Sequence, residues 1–314
     1  VPAADTRPAT LPVVAVALTL VAAAVTAWAP MPALLLAPLL FGVPHVLGDL
    51  WVLLLRPGAP RRVAAWIAGP ILALLALRSA AALGVTYPPW VEVIVGTAGV
   101  LLGAASTRSP ARIALALAVC SPAWLFLGQT PLVLGHLHNA VALVLVLAWG
   151  PRGVGLGLAL ITAIVFALTF AGVFDGALGP FGGLTPAGLA ASLAPGVAQP
   201  WADRWVTSFA FAQLLHYLCW VWLLPAAHKD SRGRSRGFFE ALRADLGLPL
   251  LAAGALGAVL LPLLGFWDPV QARAGYLSLV LFHGWLELAV LAAWPVPRRT
   301  PSLNLGSPPL VGAA

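Results

Sequence analysis

Apolar runs long enough to cross a bilayer recur from about residue 10 to about residue 295 of this 314-residue chain, with only short breaks between them. Such a chain has few folds open to it, because inside hydrocarbon every backbone N–H and C=O must find its partner within the protein. Its composition agrees: 61% of residues are hydrophobic, 9% are charged, and the mean hydropathy is +0.96, values foreign to soluble globular proteins. The expected fold class is all-α, a polytopic integral membrane helical bundle forming a single domain over 1–314, with a Pro- and Ser-rich tail at 296–314 expected to be disordered.

Ten spans fit the pattern, near 10–29, 31–55, 63–83, 89–106, 112–128, 131–149, 154–174, 204–225, 247–267 and 275–295. The first is read as a retained helix rather than a signal peptide, for want of a small-residue cleavage site. Pro122 in the short fifth span predicts a kink. The basic residues test the count, because Lys and Arg gather on cytoplasmic loops. With the N-terminus inside, Arg7, Arg56, Arg61, Arg62, Arg108, Arg112, Arg152, Lys229, Arg232, Arg234, Arg236, Arg243, Arg298 and Arg299 all fall inside. Only Arg204 and Arg273 fall outside, and Arg78 lies within a span, where Glu92 can pair with it. Ten spans with both termini cytoplasmic is the expectation, in a bacterial-type inner membrane.

The same partition disposes of a nucleic-acid reading of the +7 net charge, since the basic residues form short clusters between spans. Cys120 and Cys219 sit in apolar spans without C-x-x-C spacing and support neither a disulfide framework nor a zinc knuckle. Two connections exceed hairpins. The outer one, 175–203, predicts a short interfacial helix ending at Leu193 and capped by Thr185; the inner one, 228–245, which includes His228, predicts an amphipathic surface segment around 238–243. Trp90, Trp149, Trp201, Trp205, Trp267 and Trp294 fall near span ends, as interface anchors do.

Ionisable groups inside spans are costly and mark sites. The second span carries Gly42-Val43-Pro44-His45-Val46-Leu47-Gly48-Asp49, with His45 and Asp49 on one helical face. The sixth carries Gly135-His136-Leu137-His138-Asn139, the eighth Gln213-Leu214-Leu215-His216-Tyr217, and the tenth His283-Gly284-Trp285-Leu286-Glu287. All these spans are even-numbered and run in one direction, so depth follows from counting. At about 1.5 Å per residue His138 lies about 10 Å in, His283 about 12 Å, His216 about 18 Å and His45 about 21 Å, which brings four helices to one level within boundary error. Four neutral imidazoles at one level suit iron, copper or zinc.

His136 and His138 face opposite sides, because two residues turn a helix by about 200°, so either can ligate but not both. His138 stands beside Asn139. Asp49 and Glu287 either ligate directly or orient a histidine. With Asn139 and Tyr217 they are the candidate catalytic groups. Other readings stay open: a transporter or proton pathway, interhelical hydrogen bonding alone, or a haem-binding electron carrier. A transporter would carry an internal repeat, which is not visible, and a membrane desaturase would carry clustered H-x-x-H-H motifs, which are absent.

Gly42, Pro44, His45 and Asp49 together resemble the Gly-x-Pro-His-x-x-x-Asp signature of the Brp/Blh family of membrane β-carotene dioxygenases. The resemblance covers that motif and the order of later intramembrane histidines. This chain has Gly135-His136-Leu137-His138-Asn139 where the family has His-Phe-Gly, and Leu50 follows Asp49 where many members have a histidine. The resemblance implies Fe(II) held by imidazoles, with dioxygen and a lipophilic polyene such as a carotenoid as substrates reached from the membrane lipids.

Overall fold

Prolines punctuate this chain: five of the thirteen described helices begin on one and three more carry one in second place, where the missing N–H would have had no helical partner. The computed structural model describes residues 11–55, 61–149, 152–224 and 238–293. In order, the helices are α1 (Leu11–Trp28), α2 (Pro30–Leu50), α3 (Arg61–Ala82), α4 (Pro89–Ala105), α5 (Pro110–Leu125), α6 (Thr130–Trp149) and α7 (Arg152–Phe170). There follow α8 (Pro186–Leu193), α9 (Trp201–Leu218), α10 (Phe238–Asp245), α11 (Leu248–Trp267), α12 (Pro269–Val280) and α13 (Phe282–Ala293). Among the described residues every regular element is helical, and the only β feature is an isolated Phe181–Leu184 bridge.

Six stretches are long and apolar enough to cross a membrane: Pro30–Leu54, Val63–Ala82, Gly153–Phe170, Trp201–Leu223, Leu248–Trp267 and Pro269–Ala293. Four shorter apolar helices, Pro12–Trp28, Pro89–Ala105, Pro110–Leu125 and Leu132–Ala148, overlap the other four expected spans but fall below that length. The expected tail 296–314, His228 and Trp294 lie outside the described residues.

The last span differs from expectation. It starts at Pro269 rather than near 275, because Asp268 caps it by accepting from the Gln271 N–H at 3.0 Å, and it breaks at Leu281 into α12 and α13. The Thr185 cap of α8 is as expected, accepting from the Gly188 N–H at 3.1 Å. Pro122 falls in the last turn of α5, which gives way to a 3₁₀ turn at Leu127–Gln129. The amphipathic segment appears as α10, with Leu242 buried and Glu240 and Arg243 exposed.

Burial sorts the helices into a centre and a rim. Between Trp201 and Leu223 the most apolar window is 72% buried, and for Pro30–Leu54 and Pro269–Ala293 the figure is 56%, against 6% for Leu248–Trp267. The rods carrying His45, His216 and His283 are therefore the interior ones. They pack on one another and on α6, while α1, α3, α4, α5, α7 and α11 surround them. Close approach of α4 to α13 depends on small residues: a Cβ on Gly96 would lie 2.1 Å from the Trp285 ring, and one on Gly103 2.3 Å from the Ala289 carbonyl. Arg78 and Glu92 pair between α3 and α4, with Nε 3.1 Å from Oε1. Exposed Trp90, Trp201 and Trp267 sit at helix starts and ends, whereas Trp205 packs inward against His136 and Phe170.

Candidate metal centre

His45 is placed by the two residues that precede it in its motif. Gly42 leaves a flat patch one turn earlier on which Tyr276 of α12 lies; a Cβ there would sit 2.5 Å from the Tyr276 ring. The Tyr276 hydroxyl reaches to 3.5 Å from His45 Nδ1. Pro44 lacks the N–H that would close a helical bond to the residue four earlier, which loosens α2 beside His45. Two residues past Asp49, α2 passes into a π-helical turn, Trp51–Leu55, and three past His216, α9 does the same at Cys219–Leu223. Each π turn inserts an extra residue into the helical count and re-aims the face that follows, a device frequent at functional sites. Asp245 of α10 accepts from Trp51 Nε1 at 2.8 Å and ties down the first of these turns.

Four histidines from four helices meet. One ring nitrogen from each of His45, His138, His216 and His283 falls within 4.8 Å of the others, and Asp49 and Glu287 form a second such group with His283. Ring centroids of His138 lie 4.1 Å from His216 and 4.5 Å from His283, and those of His45 lie 4.9 Å from His283 and 5.2 Å from His216. Gly284 gives His138 its room, since a Cβ there would stand 3.3 Å from the His138 Cβ.

The Nδ1 contacts of three rings fit one tautomer, with the proton at Nδ1. His45 Nδ1 donates to the Phe41 carbonyl at 3.3 Å, His283 Nδ1 donates to the Val280 carbonyl at the end of α12, and His138 Nδ1 donates to Glu287 Oε2 at 2.8 Å. An imidazole with its proton held at Nδ1 presents a lone pair at Nε2, the form in which it ligates. In those tautomers Nε2 of His45 and Nε2 of His283 face each other at 3.0 Å as two lone pairs. Two lone pairs at that distance repel unless a cation draws on both. Nitrogens bound about 2.1 Å from one ion stand about 3.0–3.4 Å apart in octahedral or tetrahedral geometry, so this spacing fits a shared metal. Among the described residues neither ring nitrogen of His216 has a hydrogen-bond partner, and its Nε2 lies 3.8 Å from Glu287 Oε1.

The charge balance points the same way. Asp49 and Glu287 are both fully buried, and among the described residues neither pairs with Lys or Arg. Asp49 Oδ2 stands 3.9 Å from His283 Nε2, and among the described residues neither Asp49 oxygen has a well-formed hydrogen bond. Two adjacent carboxyl groups in an apolar interior either share a proton or keep their charge beside a cation, and a divalent ion among neutral imidazoles is one such cation. The buried His/Asp/Glu cluster could hold a metal ion.

Beside the cluster lies a cavity of about 120 Å³. Asn139 and Tyr217 line it, and the Tyr217 ring centroid is 4.7 Å from that of His45. His136 is not part of the cluster: it points away among Phe166, Trp205 and Phe209, with centroids 6.1, 5.1 and 5.6 Å off. Of the two open alternatives on α6, His138 is the one brought to the other histidines. Sequence reasoning passed over Arg273, Gln213 and Tyr276, which also line the cavity. Arg273 stands three residues before Tyr276, on one face of α12, but a tenth span begun near 275 left it outside. No protein-family model matches this chain, and no curated protein or solved structure matches it either.

Proposed function

We propose that the protein is an integral enzyme of the bacterial-type cytoplasmic membrane that holds Fe(II) on His45, His138, His216 and His283. In this reading it uses dioxygen to cleave a carotenoid or related polyene. One observation carries the proposal: four imidazoles converge within 4.8 Å, three of them with Nδ1 already committed to an acceptor. Ten spans with both termini cytoplasmic complete it, because that count sends 14 of the 17 basic residues to one side.

Glu287 holds the His138 tautomer and orients its ring, and Asp49 balances the charge beside His283. Asn139 and Tyr217 face the cavity, where they contact substrate. Bound there, iron would supply the electron chemistry that lets dioxygen react with a closed-shell molecule, and neutral nitrogen ligands would keep it cationic enough to do so. Cleaving one C=C bond with one O2 gives two C=O groups, so the atoms and electrons close without an external reductant. The crowding of four rings leaves no clear plane for a porphyrin, which favours a non-haem centre. A proton pathway would string titratable groups across the bilayer, and here they gather at one place.

The test is turnover in detergent of the iron-loaded protein with a panel of polyenes, β-carotene and polyene carboxylic acids among them, under ¹⁸O2. Two labelled aldehyde ends per bond cleaved are expected. Oxygen uptake no greater than that of the His45→Ala protein, across a panel of polyenes, would overturn the reading.

A further inference from the structure

Arg273 is 8% exposed, yet it carries a charge into the apolar interior. Its Nε donates to the Leu34 carbonyl at 2.8 Å, and that carbonyl is available because its helical partner four residues on is Pro38, which has no N–H. The guanidinium is thus fixed by a purpose-made acceptor. Its Nη2 is buried with no partner, and among the described residues no carboxylate lies within salt-bridge distance. Arg273 lines the cavity beside the histidines. So do Gln213 and Asn139, whose Nε2 and Nδ2 are also buried without partners.

Three unsatisfied donors and a buried cation around one cavity call for a ligand that brings acceptor oxygens and negative charge. An uncharged hydrocarbon would leave these three groups, one of them charged, unmet. A single guanidinium faces the cavity, which matches one negative charge, as on a carboxylate, rather than the two of a phosphate monoester. Tyr276, one turn beyond Arg273 on α12, reaches His45 with its hydroxyl, and Gln213 and Asn139 stand one turn and one residue from His216 and His138, so a head held by these donors places the first carbons of its chain beside the histidines.

We propose that the cavity takes a lipophilic carboxylic acid, with its carboxylate on Arg273 Nη2 and the amides of Gln213 and Asn139, and its chain against the histidine cluster. This deepens the oxygenase reading and rests on it for the chemistry, though not for the binding. Leu193, the last residue of α8, adds an apolar side chain to the same lining.

Parinaric acid and its methyl ester, read by fluorescence in the detergent-purified full chain, test the proposal. The acid should bind the wild type at least tenfold more tightly than the ester. Arg273→Gln should bring the acid down to the ester's affinity, while Arg273→Lys keeps part of the preference and both variants keep wild-type metal content. Equal binding of acid and ester to the wild type would overturn the proposal, and that comparison needs no variant to fold. A preference that survives in Arg273→Gln would overturn it as well. Acid preference in a protein that binds no iron would uphold this proposal while sinking the oxygenase reading; iron without acid preference would do the reverse.

Discussion

At the scale of single residues, the centre rests on which nitrogen of each imidazole is already spoken for. Replacing His45, His216 or His283 by Ala should each abolish stoichiometric iron binding in the purified protein while leaving its detergent elution profile unchanged. Iron retained in all three would mean that the ions are held elsewhere. Glu287→Gln is a subtler probe, because it keeps a group that can still accept from His138 but removes charge. Outer ligands of this kind typically tune metal affinity by about 10–100-fold, so competition with a chelator should expose a loss of that order. Four of the histidines were legible in the sequence because a charge or imidazole in an apolar run stands out and because helical rise fixes its depth. What separates His138 from His136 was only half legible. Rotation says that they diverge, but which face turns inward is decided by Phe166, Trp205 and Phe209, far away in the chain. Arg273 was illegible for a simpler reason: an arginine near a span end looks like any loop charge until Pro38 is seen to free the carbonyl that fixes it.

At the scale of elements, the position of α13 depends on how closely α4 can approach it. Gly96→Ala would push a methyl group into the Trp285 ring, two residues from His283 and two from Glu287. Overpacking of this sort costs about 1–3 kcal/mol, and here the displaced element carries His283 and Glu287. Thermal unfolding in detergent should shift downward, and iron affinity should fall with it; an unchanged affinity would mean that α13 is held by its other neighbours. A second joint lies at the end of α7, where Arg204 Nη2 meets Asp175 Oδ2 at 2.6 Å. The hydrogen bond from Arg204 holds the Asp175 carboxyl below its usual pKa. The tie is therefore complete at neutral pH and is lost as pH falls through that lowered value. Amide exchange in the turn 171–177, corrected for its intrinsic pH dependence, should rise on such acidification in the wild type. Asp175→Asn should show no such step. Helix starts were readable from proline and capping residues, whereas the break at Leu281 and the two π turns were not, since no local residue type demands them.

At the scale of the whole molecule, the bundle is arranged so that its costly groups occupy the middle. The rods bearing His45, His216 and His283 are the ones most enclosed, and the freely exposed apolar faces belong to helices such as α11. That division follows from the bilayer as solvent: lipid accepts Leu and Val on the rim, and only protein can accept an imidazole–carboxylate cluster. If the ten-span topology holds, reporter fusions ending in the 56–60 and 225–237 segments should report the cytoplasm, and one ending in the 176–185 stretch should report the opposite side. A reversed sign at any of the three would break the count. The most direct test of the central claim is metal analysis with an optical spectrum on protein purified in detergent and reconstituted anaerobically with Fe(II). The structure as read here predicts one iron per chain and no Soret band. A Soret band, or a protein that stays metal-free after reconstitution, would contradict it.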